Sequence, residues 1–327
     1  LLIEALLSFS FVFILFLDKQ NIILYFVPLI LLGIVRAFVY PAESSLIANI
    51  VDEKGLPQAV ALGTLSWQSA SIFGPVLGGV LYGISPLSPY FFGGLGALYA
   101  SLLIFLTSII YQKIEKNNFV NIKTITSGFE YIFKNQILFG VISLDLFAVL
   151  LAGAVALLPV YARDILEAGP LALGLLRSAP AIGAVIVGLY LALYPIKNKS
   201  GLILLLAVAC FGFCTIIFGV STNMLLSIVV LLFLGAFDML SVYIREILIQ
   251  IRTEDRMRGK VNAINGMFVG ASNELGEFRA GFMASAIGAV PTVVIGGVGA
   301  ILVSGIWFYI FPKIRTIKNL KENELYE

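Results

Sequence analysis

The sequence predicts an all-α, polytopic membrane protein built from two helical bundles. Three observations carry that prediction. The 327 residues are 60% hydrophobic and only 12% charged, with no histidine. Three long stretches hold no charged side chain, between Lys54 and Lys113, between Lys199 and Asp238, and between Arg279 and Lys313. The chain also carries a faint internal repeat: a shift of 202 residues lays Gly74 on Gly276, Gly79 on Gly281, Arg36 on Asp238 and Glu43 on Arg245.

The charge-free stretches exceed the ~20 apolar residues that span a bilayer. In hydrocarbon each backbone group must be satisfied inside its own segment, so they are helices. They are continuous rather than alternating, which argues against a β-barrel. Ten membrane helices follow, at roughly 1–17, 22–48, 58–84, 88–111, 137–161, 171–194, 201–220, 223–250, 260–288 and 292–311. The connections at 85–89, 168–170 and 290–291 carry Pro or Gly, as turns require.

Lys and Arg set the orientation. Fifteen fall in the loops 49–57, 112–136, 195–200, 251–260 and the tail from 312; the opposite loops hold only Lys19 and Arg163. The first set is therefore expected to be cytoplasmic, with the C-terminus inside. Between the fourth and fifth helices, Ile122, Ile125, Phe129, Ile132 and Phe133 form one apolar stripe, which predicts an amphipathic helix at the cytoplasmic surface. The expected organisation is a bundle of four helices over 1–111, a linker over 112–136, a bundle of six over 137–311 and a tail over 312–327. The chain starts at Leu1 inside an apolar run, without methionine. A missing N-terminal segment with two further helices is expected there.

Composition also narrows the chemistry. Lack of histidine removes the commonest metal ligand and the usual general base. Cys210 and Cys214 lie four apart in an apolar run and read as small packing residues, since two thiols do not complete a metal site. No nucleotide-binding glycine loop or zinc signature is present. The net charge of +2 is small and says little about partners, and no nucleic-acid partner is expected. The expectation is a non-enzyme without cofactor or metal, a monomer whose partners are the bilayer, a small molecule and protons.

The stretch LLGIVRAFVYPA (31–42) resembles the fourth-helix motif of the major facilitator superfamily. ASIFGPVLGG (70–79) is similar to its fifth-helix antiporter motif GxxxGPxxGG, with Ala70 in place of the first glycine. RGKVNAINGMFVGASNELGEFRAG (258–281) resembles the eleventh helix of its drug and siderophore exporter branch, which includes the enterobactin exporter and macrolide-efflux-type proteins. SGFEYIFKNQ (127–136) is similar to the central linker. The resemblance covers the whole chain, begins at the family's third helix and implies ten of twelve helices. It implies alternating-access, proton-coupled efflux of a drug, macrolide or siderophore across the bacterial inner membrane. The alternatives are an uptake facilitator of the same fold and a non-transporting truncated membrane protein.

Arg36 lies near mid-helix, where a bare charge costs ~2.5–3.5 kcal/mol. It either lines a substrate cavity or sits in an ion pair with Glu43 or Asp238. Tyr40, Asp238 and Tyr243 are the other cavity candidates. Glu43 and Arg245 read as gate residues, and their mirrored polarity suggests the cross-repeat pairs Arg36–Asp238 and Glu43–Arg245. Asp145 is an acid without a sequence-near base, either a proton carrier or a hydrated interfacial residue. Glu274, Glu277 and Arg279 form a charge cluster within two turns. The two acids are further proton candidates, and Arg279 is a candidate for an ion pair. Gly74, Pro75, Gly78 and Gly79 permit close packing and a kink.

Overall fold

In the computed structural model the described residues are 1–17, 22–50, 56–107, 122–196 and 198–317, and they contain helices and no strand. The chain divides into two compact units, Leu1–Lys116 and Asn117–Glu327.

Unit 1 contains α1 (Leu2–Phe16), α2 (Ile23–Ile50), α3 (Leu56–Ile84) and α4 (Ser88–Leu106). α1 packs mainly on α4. Phe9 meets Phe91 edge-on with ring centroids 6.1 Å apart, and Phe11 stacks on Tyr90 at 5.2 Å. Gly94 makes that crossing possible, because a Cβ there would meet the Phe9 ring at 3.0 Å.

Unit 2 starts with α5 (Ile122–Lys134), the expected linker helix, ended by an Asn135 side chain that accepts the N–H groups of Ile137 and Leu138 and so caps α6 (Gln136–Ala152). On α5 the Lys134 ammonium holds the exposed Glu130 carboxyl below the usual carboxylate range. The predicted helix over 137–161 does not run unbroken. It stops at Gly153, continues as a 3-10 turn (Ala154–Leu157) and the short α7 (Leu158–Val160), and closes with a π turn (Tyr161–Ile165). Gly153 sits at φ 2°, ψ 35°, and Pro159 has no N–H to donate, so the regular ladder is interrupted. The Tyr161 hydroxyl anchors this segment by donating to the Gly219 carbonyl at 2.7 Å.

Then come α8 (Pro170–Leu193), α9 (Ser200–Val220), α10 (Met224–Arg252), α11 (Asp255–Ile287), α12 (Ala289–Ile310) and the single turn α13 (Pro312–Arg315). Helix pairs α8/α10 and α9/α12 approach most closely. Gly235 lies directly on the Pro180 backbone, and Gly212 and Gly297 each face the other's carbonyl, leaving no room for a side chain.

Among the described residues, six helices are long and apolar enough to cross a membrane: α4, the segment from α6 through Ile165, α8, α9, α10 and α12. α11 is as long but carries Glu274, Glu277 and Arg279 in its middle.

The internal repeat extends to the helix boundaries. Adding 202 to α1, α2, α3 and α4 gives 204–218, 225–252, 258–286 and 290–308, against 200–220, 224–252, 255–287 and 289–310 for α9 to α12. The pairing repeats as well: α1 packs on α4 as α9 packs on α12. α6 and α8 have no counterpart at this shift.

The core of unit 2 forms two clusters. One, around Leu138, Leu144, Ile244 and Ile249, lies toward the start of α6. The other, around Leu158, Leu176, Phe218 and Leu231, lies toward the opposite end. Asp145 of α6 and Arg245 of α10 are buried beside residues of the first cluster.

Candidate functional site

A pocket of about 310 Å³ opens inside unit 2 between α6, α8, α9, α10 and α11. Its walls are mostly apolar, with Val149 and Ala152 from α6, Pro180 from α8, and Leu231 and Leu234 from α10. Three polar side chains enter it: Asp238 from α10, and Asn273 and Glu277 from α11. A concave, largely apolar space with a few polar groups is the usual form of a small-molecule site, and this volume is at the small end of the ~300–1,000 Å³ range. Asn273 donates its amide to the Val269 carbonyl at 2.9 Å, which leaves its oxygen free. Asp238 forms no hydrogen bond or ion pair among the described residues.

Helix periodicity places a second polar group next to the pocket. Val149 and Ala152 follow Asp145 at four and seven residues, on one face of α6. Arg245 follows Asp238 by seven residues on α10, about 10 Å along the axis. On that face Arg245 Nη1 closes on Asp145 Oδ1, with the two side chains 4% and 10% exposed. Nε and Nη1 of Arg245 are buried and have no hydrogen-bond acceptor among the described residues, so the contact is an ion pair. Arg245 Nε also stands 3.9 Å from Glu246 Oε1, and that oxygen accepts the Asn265 amide of α11 at 2.9 Å. Asp145, Arg245, Glu246 and Asn265 therefore tie α6, α10 and α11 together at one level.

Arg279 has a different setting from the expected charge cluster. Its guanidinium donates to the Leu150 carbonyl at 2.9 Å and also to the Leu151 carbonyl. These are carbonyls that α6 leaves unpaired when it stops at Gly153, so Arg279 caps the broken helix. Glu274 and Glu277 are exposed on α11, and neither forms an ion pair among the described residues. Directly beside this cap, α6 and α11 touch backbone to backbone: a Cβ on Gly153 would lie 2.6 Å from the Gly276 carbonyl oxygen.

In unit 1, Arg36 is largely exposed and its Nε stands 4.0 Å from Glu4 Oε1 on α1. Glu4 was not among the expected partners, although an acid inside an apolar helix is itself a sign of pairing. The side chains of Tyr40 and Glu43 lie outside the described residues, so the Glu43 gate does too. Tyr243 is half-buried on the core cluster near Ile244. Pro75 lies inside α3, and nothing stands within 4 Å of a Cβ built on Gly74 or Gly78. Among the described residues no cluster of His, Cys, Asp and Glu could hold a metal ion.

Six apolar helices of span length among the described residues define a multi-pass membrane protein. The family model described as Major Facilitator Superfamily matches residues 1–277. The chain belongs to that superfamily, and membership supports secondary transport rather than catalysis. It is 26% identical over 287 residues to the uncharacterized MFS-type transporter YfmI of Bacillus subtilis (strain 168), covering 84% of this chain and 67% of that protein. To the uncharacterized MFS-type transporter YvqJ of the same organism it is 27% identical over 303 residues, covering 87% and 69%. A shorter match, 31% over 133 residues, joins 41% of this chain to 34% of Multidrug resistance protein 1 of Bacillus subtilis (strain 168). In fold the chain is similar to a bacterial homolog of the human lysosomal transporter Spinster, crystallised inward-facing and unoccupied. The TM-score is 0.71 and the identity 12%, over 96% of this chain and 84% of that one.

Proposed function

We propose that this protein exports small amphiphilic compounds in exchange for protons by alternating access, in the bacterial cytoplasmic membrane with its C-terminus in the cytoplasm. The observation that carries the reading is the pocket where Asp238 and Glu277 meet an otherwise apolar wall. Apolar walls take the ring or aliphatic body of a substrate. A carboxyl at membrane depth takes and gives one proton per cycle. If the same carboxyl meets the substrate, proton and substrate exclude each other, and exclusion at one site is sufficient for exchange.

The Asp145–Arg245 pair supplies a second switch. A proton on Asp145 would free Arg245 toward Glu246, and the tie between α6 and α10 would loosen. The protein would then alternate between inward-open and outward-open states, as transporters built from repeats do. In this scheme Arg36 and Tyr40 of unit 1 contact substrate, Glu43 serves a gate, and Pro75 kinks an antiporter helix whose motif includes Gly74, Gly78 and Gly79.

Three sequence features favour this direction and topology. The GPxxGG stretch resembles that of antiporters. The match to Multidrug resistance protein 1 favours drug-like substrates. The fifteen-to-two distribution of Lys and Arg favours a cytoplasmic C-terminus. The reading is tested by transport into everted membrane vesicles made from cells expressing the full reading frame. With an acid-inside gradient, a lipophilic fluorescent cation or a catecholate siderophore should accumulate, and a protonophore should abolish accumulation. Equilibration indifferent to the gradient would point instead to a facilitator.

A further inference from the structure

We infer that unit 2 carries a second site, for a phosphate-bearing anion, at the end where α6 begins and α10 and α12 finish, and that its occupant in the membrane is an anionic phospholipid headgroup. A cavity of about 500 Å³ opens there, bounded by Tyr131, Lys134, Asn135, Gln136, Arg252 and Lys313. Three elements each bring one cation to it: α5 ends in Lys134, α10 ends in Arg252, and α13 holds Lys313.

The acids nearby offset one of the three cations and leave Arg252 and Lys313 uncompensated among the described residues. Glu130 takes Lys134 Nζ at 2.6 Å. Glu254 takes Arg256 Nε at 2.7 Å, and both those side chains are exposed. Arg252 and Lys313 have no ion-pair partner among the described residues. Arg252 Nε is sealed from solvent and has no hydrogen-bond acceptor. Arg252 also lines the cavity, so an anion there would offset its charge. The Tyr131 hydroxyl holds the surrounding backbone in place: it accepts the Glu254 N–H at 3.2 Å and faces the Arg252 carbonyl at 3.5 Å. The start of α6 adds the positive end of its helix dipole to the same space.

Position selects the occupant. Three spans begin or end at this rim, so the cavity lies at headgroup depth, where basic pockets between transmembrane helices bind anionic lipid heads. Arg and Lys serve different parts of such a ligand: the planar guanidinium takes two phosphate oxygens, and the lysine adds a point charge.

The test uses the purified full-length transporter in neutral detergent. Thermal stability is titrated with phosphatidylglycerol, phosphatidylcholine and inorganic phosphate. Phosphatidylglycerol should stabilise the wild type and phosphatidylcholine should not. Lys313→Gln removes an exposed side chain, so it should fold normally, and it should raise the half-saturating phosphatidylglycerol concentration about fivefold, the share of one surface cation in anionic-membrane binding. Arg252→Gln should weaken binding further. Arg256→Gln, outside the cavity, should bind as wild type. Equal stabilisation by both lipids, or wild-type binding by Lys313→Gln, would overturn the site. Stabilisation by inorganic phosphate, with no added effect of the lipid, would keep the anion site and overturn the lipid as its occupant.

Discussion

Arg245 of α10 closes on Asp145 of α6, and both side chains are almost wholly withdrawn from the surface. The pair stands next to the pocket that holds Asp238, two turns along α10. Asp145 is thus compensated, whereas Asp238 forms no ion pair among the described residues. That contrast leads to different expectations for the two residues.

Asp145 and Arg245 should behave as a coupled unit in stability. Breaking a buried pair from one side costs ~3–5 kcal/mol, whereas exchanging both partners for apolar side chains is often near neutral. Asp145→Leu and Arg245→Met should each lower the melting midpoint in detergent strongly. The double variant should recover most of the loss. A double variant as unstable as the sum of the singles would mean that the two side chains do not depend on each other.

The crossing of α6 and α11 should reject even one methyl group. A Cβ on Gly153 meets the Gly276 carbonyl oxygen at 2.6 Å, whereas one on Gly270 of the same α11 meets nothing within 4 Å. Gly153→Ala should destabilise by ~1–3 kcal/mol, the usual range for overpacking. Gly270→Ala should be neutral or gain up to ~1 kcal/mol from lost chain flexibility. Thermal melting of the two variants side by side checks the difference.

Arg279 should act as a helix cap that lysine cannot replace. Its guanidinium reaches the carbonyls of both Leu150 and Leu151, and an ammonium is a point charge without that planar reach. Arg279→Lys should cost ~1–3 kcal/mol, as when a buried acceptor loses its donor. Amide hydrogen exchange should quicken over 153–157, where α6 gives way to the 3-10 turn. Unchanged exchange there would show that the turn holds without the cap.

Much of this fold could be read from the sequence, because the bilayer imposes a simple pattern. Apolar runs of span length had to be helices, and each of the ten expected helices overlaps an observed one. The 202-residue shift, read from two glycine matches and two charged positions of opposite sign, proves to relate four consecutive helices. The break at Gly153 was not read, since one glycine in an apolar run is compatible with an intact helix until another backbone touches it. Pairing was also illegible. Asp145 and Arg245 are a hundred residues apart, and each could only be recognised as a charge in need of a partner. Arg36 was expected to pair with Glu43 or Asp238, yet among the described residues of unit 1 it stands 4.0 Å from Glu4. Arg279 looked like part of a charge cluster because Glu274 and Glu277 are its sequence neighbours. The fold instead gives it the carbonyls of a broken helix, which no charge pattern records.

Substrate-driven proton movement with Asp238 neutralised tests the central claim most directly. The full-length transporter is reconstituted in vesicles with an interior pH dye, and lipophilic drugs and siderophores are added. Wild type should move protons on addition of at least one compound. Asp238→Asn should abolish that movement while a spin-labelled or fluorescent analogue of the same compound still binds, and Glu277→Gln should reduce it. Undiminished proton movement in Asp238→Asn, or counterflow of substrate in the wild type without any proton signal, would contradict proton exchange at this pocket.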